Sequence, residues 1–188
     1  MLEQLLQNLK ALWLARRREV NAKYLRSLPL ADYVVDRWEK ARELGFGEGS
    51  SIYDSVLVLG DVHVGTNTWV GPFVVLDGSG GLTIGSNCSI SAGVQIYSHD
   101  SVAWALSGRT ADYRHAATSV GDNCYIGPNV VVAKGVRIGT GCVIGAQSLV
   151  LGDIPDGSKA YGTPCRVVGP ATPETPGDFD VTPTSEPV

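Results

Sequence analysis

Aliphatic residues return at every sixth position through the middle of this chain, with small or polar residues between them. Val120-Gly-Asp-Asn-Cys-Tyr, Ile126-Gly-Pro-Asn-Val-Val, Val132-Ala-Lys-Gly-Val-Arg, Ile138-Gly-Thr-Gly-Cys-Val and Ile144-Gly-Ala-Gln-Ser-Leu follow one another without a gap. The same frame extends back through Ile96, Ile90 and Ile84, then Leu76, Val70 and Val64, then Val58, Ile52 and Phe46. This period predicts an all-β, left-handed parallel β-helix, in which each unit is one short strand plus a corner and three units close a triangular coil. The first residue of each unit then points inward and stacks on its counterpart in the next coil, about 4.8 Å away. Three ladders result: Phe46, Val64, Ile84, Val120, Ile138; Ile52, Val70, Ile90, Ile126, Ile144; and Val58, Leu76, Ile96, Val132, Val150. No coil buries its inner face alone, so about five coils over residues 46–155 must be stabilised by stacking.

The fourth place of the units is mostly Gly, Asn or Asp, with His99 in the same series. These residues are enriched at positive φ, so a left-handed corner is expected there. The frame widens between Leu76 and Ile84, at Asp77-Gly-Ser-Gly-Gly, and breaks between Ile96 and Val120. Residues 100–117 therefore leave the coil as a loop directly after a histidine, and long loops inside compact domains are commonly functional.

Residues 1–45 read as helical: Leu2, Leu5, Leu6, Leu9, Leu12 and Trp13 recur at helical spacing. Pro29 interrupts the run, and Asp32 is placed to cap a second helix carrying Val34, Val35, Trp38, Ala41 and Leu44. The expected role is to pack on the end of the β-helix and block edge pairing; Arg16, Arg17 and Arg18 leave a membrane-surface helix as the alternative. After Pro155 the frame is expected to be lost. The tail 170–188, rich in Pro and acidic residues, is expected to be disordered.

The net charge of −4, with no basic run beyond Arg16 to Arg18, argues against nucleic acid as a partner. The apolar N-terminal stretch contains Glu3 and Lys10 and is followed, not preceded, by its positive charges, which is the wrong order for a secretory leader. No stretch approaches the length of a membrane span. Cys88, Cys124 and Cys142 share the fifth place of their units, so they form one column of small buried filler. With no Cys-x-x-Cys pair to suggest zinc, free thiols point to the cytoplasm.

The repeats, Tyr97-Ser98-His99 before the excursion, and the ending Asp153-Ile-Pro-x-x-Ser with Gly162-Thr-Pro-Cys-Arg-Val resemble the hexapeptide-repeat acyltransferases, in the maltose, galactoside and polysaccharide O-acetyltransferase branch. The resemblance covers about residues 46–169. It implies a homotrimer with active sites between neighbours, acetyl-CoA as co-substrate without a metal, and direct acetyl transfer to a sugar hydroxyl. His99 would be the general base. Tyr125, Pro128, Ala146, Thr163 and Arg166 would line the coenzyme groove. Leu151-Gly152 and Gly169 depart from the family pattern, where basic residues stand, so Lys134 or Lys159 would supply phosphate contacts. On the acceptor side, Asp77 could hydrogen-bond a hydroxyl, while Trp104, Arg109 and Tyr113 would form an aromatic wall with donors; His115 is expected at the surface. An amino-sugar acceptor is the competing reading. Remoter ones are a non-catalytic scaffold and a γ-carbonic-anhydrase-like zinc hydratase using His63, His99 and His115.

Overall fold

The computed structural model describes residues 1–172, and in it the six-residue frame forms a parallel β-helix. One face stacks Ser51–Ile52, Trp69–Val70, Ser89–Ile90, Tyr125–Ile126, Val143–Ile144 and Ser158–Gly162, all parallel. Register places Ile52, Val70, Ile90, Ile126, Ile144 and Ala160 directly over one another, and all six are 0% exposed. The ladder running through Leu76, Ile96, Val132 and Val150 is equally sealed, with Val58 half-buried at its start.

The coil runs further than expected. Ile154 bridges to Ile138, and Ala160 lies over Ile144, so the helix reaches about six turns. The frame does not end at Pro155; the corner after Val150 is shortened, and the rungs resume from Ile154. Cys165–Pro170 then turns back antiparallel on Ser158–Gly162 and covers the last edge. Order continues past residue 170: Pro170 pairs with Ser158, and the Ala171 amide donates to the Gly157 carbonyl (2.6 Å). The rest of the expected disordered tail, 173–188, lies outside the described residues.

The coil has three edges, each made by the corners that follow one ladder. At the first two, the fourth place is left-handed almost throughout, including Asn67, Asn87, Asn123 and Asn129. Phe73 (φ 60°) and Gln147 (φ 59°) adopt the same conformation without the usual preference. Stacking imposes it: amides of one corner donate to carbonyls of the corner one coil before, as Gln147 does to Pro128 (2.8 Å). On the first edge Ser50, Thr68, Cys88, Cys124 and Cys142 form a single column. Each donates its side-chain hydrogen to a backbone carbonyl one coil on, from Ser50 to Gly65 (2.7 Å) through Cys142 to Pro155 (3.1 Å). All four cysteines are free and buried.

The third edge is irregular. Leu57–Val64 and Val75–Ile84 run through it as continuous strands, paired Leu59 to Asp77 and Gly60 to Gly78. His99 is not left-handed, contrary to the fourth-place pattern; it lies in the short strand His99–Asp100.

The N-terminal segment holds three helices: α1 (Leu2–Tyr24), α2 (Leu30–Val34) and α3 (Arg37–Glu43). Asp36, not Asp32, caps the helix carrying Trp38, accepting from the Trp38 (3.0 Å) and Glu39 (2.9 Å) amides. Asp32 caps the first coil instead, accepting from the Asp54 amide (2.6 Å). Lys40 reaches the Tyr53 and Asp54 carbonyls and the Asp54 carboxylate (3.2, 3.0 and 3.2 Å), fixing α3 on the end of the coil. Only α2 and α3 follow the expected end-capping role, because α1 buries no residue and its leucine stripe faces outward.

Because the Ile126 rung is shared by the coils on both sides, Ile126→Ala should lower unfolding stability by about 2–5 kcal/mol. Denaturant unfolding followed by circular dichroism measures this.

Candidate functional site

The widened corner and the excursion meet at the third edge, and a buried carboxylate joins them. Asp77 Oδ1 accepts from the Ser79 amide (3.0 Å). Its Oδ2 accepts from the Ser98 (2.9 Å) and His99 (3.2 Å) amides and faces His99 Nδ1 at 2.5 Å. Burial alone would raise the Asp77 carboxyl, but hydrogen bonds from Ser79, Ser98 and His99 outweigh it and hold it well below the ordinary carboxylate range. An ionised Asp77 accepts from Nδ1–H, which leaves the Nε2 lone pair of His99 to take a proton. Asp77 therefore does not reach an acceptor hydroxyl, as the sequence suggested: its side chain is 0% exposed and both oxygens are engaged. The group facing this ring nitrogen is thus a carboxylate.

Residues 100–117 have structure of their own. His99–Asp100 pairs antiparallel with Arg114–His115, and α4 (Val102–Leu106) lies between the two strands. Tyr113 and His115 stack against His99, with ring centroids at 6.0 and 5.9 Å. Trp104 meets Tyr113 edge-on (5.5 Å), and the Arg109 guanidinium lies over Trp104 (5.0 Å). The expected aromatic wall is thus assembled beside His99, with His115, exposed as anticipated, as an added member.

The base of the excursion is pinned from the coil. Thr118 Oγ1 donates to the Tyr97 carbonyl (2.7 Å), and Lys134 pairs with Asp100 (3.1 Å). The Val102 amide, then Lys134, hold the Asp100 carboxyl below its usual value. Lys134 is therefore committed to the hairpin rather than to the coenzyme-side tail. Gly80 permits the close approach of the two segments, since a Cβ there would collide with the Ser98 carbonyl oxygen.

The coenzyme candidates stand elsewhere. Pro128, Ala146 and Thr163 rise along the second edge in consecutive coils, all exposed, with Thr163 Oγ1 donating to the Gln147 carbonyl (3.1 Å). Tyr125 points outward from the neighbouring face, paired in register with Ser89 and Val143. Arg166 lies in the closing strand opposite Tyr161, its guanidinium on the Cys165 carbonyl (2.9 Å). Exposed backbone and small side chains in a straight column suit an extended chain laid along the axis. Within one chain, however, this edge and His99 flank opposite sides of the face bearing Val75, Gln95, Val131 and Leu149.

His63 does not join the other two histidines. It sits exposed on the next face, near Asp61 (3.4 Å). Among the described residues no group of three or more His, Cys, Asp or Glu is placed to hold a metal.

Comparison with known proteins agrees with this architecture. Residues 117–152 match the bacterial transferase hexapeptide family (six repeats), and the six-residue frame of the coil is similar to that family's repeat. It is 36% identical over 108 residues to a galactoside O-acetyltransferase of Lactococcus lactis subsp. lactis (strain IL1403), covering 57% of this chain and 52% of that protein. The chain thus spans about half the length of that relative. A maltose O-acetyltransferase structure from Clostridium difficile 630 superposes with a TM-score of 0.60 and 25% identity, over 88% of this chain and 89% of that one. An N-acyltransferase from Bacillus cereus, in complex with dTDP and coenzyme A, shares the fold (TM-score 0.61, 22% identity, 68% and 73% covered).

Asp77 carries a testable pH signature. Its carboxyl is depressed in the folded state relative to about 3.9 in the unfolded chain, so its contribution is present above that value and is lost as the pH falls towards the folded value. Asp77→Asn should therefore unfold at a lower urea concentration than wild type at pH 7, and the gap should narrow below about pH 4. A constant gap across that range would contradict an ionised Asp77.

Proposed function

We propose that this chain is an acetyl-CoA-dependent O-acetyltransferase that modifies a hydroxyl of a sugar or polysaccharide precursor, as a cytoplasmic homotrimer. The observation that carries the reading is His99, held by a buried carboxylate at one ring nitrogen beside an aromatic wall. Imidazole changes protonation near neutral pH, which suits a general base. Nε2 takes the acceptor's hydroxyl proton while the oxygen attacks the thioester carbonyl. The tetrahedral intermediate collapses to the ester and expels the CoA thiolate, which recovers the proton from the imidazolium. Asp77 positions the ring and stabilises that cation, as a buried carboxylate does in other oriented imidazoles. The cysteines take no part: Cys88, Cys124 and Cys142 are buried and bonded to backbone carbonyls, and Cys165 is buried. The galactoside and maltose O-acetyltransferases among the relatives support a hydroxyl over an amine.

The separation of the two edges supports a site shared between subunits. The His99 edge of one chain facing the Pro128, Ala146 and Thr163 edge of its neighbour would bring base and coenzyme together, and a closed ring of three repeats that contact. Arg166 is the candidate phosphate contact.

Two measurements test these claims. Calorimetry should show acetyl-CoA binding to wild type and His99→Ala alike, while CoA release against a panel of sugars and amino sugars falls about 10²–10⁴-fold in the variant. No acetyl-CoA binding would sink the assignment, and turnover confined to amino sugars would replace the hydroxyl with an amine. Separately, His99→Ala and Ala146→Trp chains, each inactive alone, should regain activity when unfolded and refolded together, with about a quarter of the sites intact in randomly mixed rings. Absence of recovery would place both edges' functions within one chain.

A further inference from the structure

The N-terminal helices form a second feature that the acyl-transfer reading does not use. A cavity of about 200 Å³ lies between the end of α1, the link that follows it, α3 and the first coil. Arg26 and Arg37 both donate to the Tyr53 hydroxyl (3.3 and 3.4 Å). The Arg37 guanidinium also lies over the Trp38 ring (4.1 Å), and Lys23 completes the cationic wall. Among the described residues, Arg26 and Arg37 form no ion pair with a carboxylate. The acidic groups in the same wall are otherwise engaged: Glu19 with Arg16 (2.6 Å), Asp36 with the start of α3, and Asp32 Oδ1 with the first coil. One buried acceptor, Asp32 Oδ2, has no partner. Two convergent guanidiniums and an unfilled acceptor fit a group that joins a phosphate to a hydroxyl. The volume is below the 300–1,000 Å³ or so of drug-sized sites, which suits a headgroup rather than a nucleotide.

Leu28 forms a wall of this cavity and also of an apolar groove lined by Leu6, Leu9, Trp13 and Leu30. The groove continues into the uncovered stripe of Leu2, Leu5 and Leu12. α1 otherwise carries Lys10, Arg16, Arg17, Arg18 and Lys23 against only Glu3 and Glu19. The apolar side chains gather in the first half of α1 and most of its cations in the second, with Trp13 and Tyr24 among them, a distribution suited to a helix lying at an anionic membrane interface. No helix among the described residues is long and apolar enough to cross a membrane.

We infer that the N-terminal segment docks on an anionic bilayer, with the α1 leucine stripe in the acyl boundary and a hydroxylated phospholipid headgroup between Arg26 and Arg37. This stands independently of the acyl-transfer chemistry. It gives the enzyme a place at the membrane surface without a spanning segment, through charge complementarity that salt would screen.

The test is co-flotation of the full-length protein with vesicles of phosphatidylcholine alone or mixed with phosphatidylglycerol. Binding is expected only to the mixed vesicles, weakening as salt is raised. Arg26→Gln and Arg37→Gln should each weaken it about fivefold, and together about 25-fold. Leu5→Asp, at an exposed position away from the cavity, should weaken it without disturbing the fold, with circular dichroism as the control. Equal binding to both vesicle types, or binding that the paired arginine substitutions leave unchanged, would overturn the proposal. So would calorimetric binding of inorganic phosphate at these arginines with no vesicle binding, which would mark a site for a soluble anion. Self-association beyond the trimer, abolished by Leu5→Asp, would assign the stripe to a second copy of the chain and overturn it equally.

Discussion

Parallel stacking of identical rungs is the constraint from which the rest of this molecule follows. A coil built of two-residue strands has no interior of its own, so every inward side chain must be closed by the coils above and below. Register is then fixed, because Ile, Val or Leu can be sealed only directly over a counterpart. Fixed register makes each edge a column of equivalent positions. The first edge becomes a ladder of hydroxyls and thiols donating to carbonyls, and the second a straight exposed track of small residues. The third is where the pattern is broken, by the widened corner and the excursion that meets it.

At that third edge the fold contains a buried charge. An isolated carboxylate away from water is costly, and it is tolerated when donors surround it. Asp77 receives three amides and one imidazole, and two of those amides belong to the residues that open the excursion. One group therefore closes the widened corner, starts the hairpin and orients His99. Lys134 and Thr118 tie the hairpin down from the coils that follow, so a segment that departs from the repeat is still held by it.

The two ends of the coil are treated differently. The C-terminal end covers itself with a strand that turns back on the last coil. The N-terminal end is covered by α2 and α3, joined to it through Asp32 and Lys40, while α1 keeps its apolar stripe in the open. A coiled stack needs only its end rungs covered, and the short helices already do this. The stripe on α1 is surplus to the fold, which is why it points to a surface outside the chain.

The sequence by itself determined the coil, its ladders, the column of cysteines and the point at which the excursion leaves, because each is written as a strict period in residue type. It also placed Trp104, Arg109 and Tyr113 in one segment with His99. It misread what depends on neighbours in space. Phe73 and Gln147 are left-handed by stacking and not by preference; Ile154 and Ala160 are rungs although the corner before Ile154 is short; Asp36 caps the helix assigned to Asp32. Asp77 read as a substrate ligand because nothing local announces that its side chain points inward. Only the tertiary structure, by winding residues 77 and 99 onto adjacent coils at one edge, decided that this carboxylate would be dry, ionised and bonded to the imidazole. Periodicity fixes which way a repeated side chain faces, but a residue at a break in the repeat takes its environment from whatever the coils on either side bring to it.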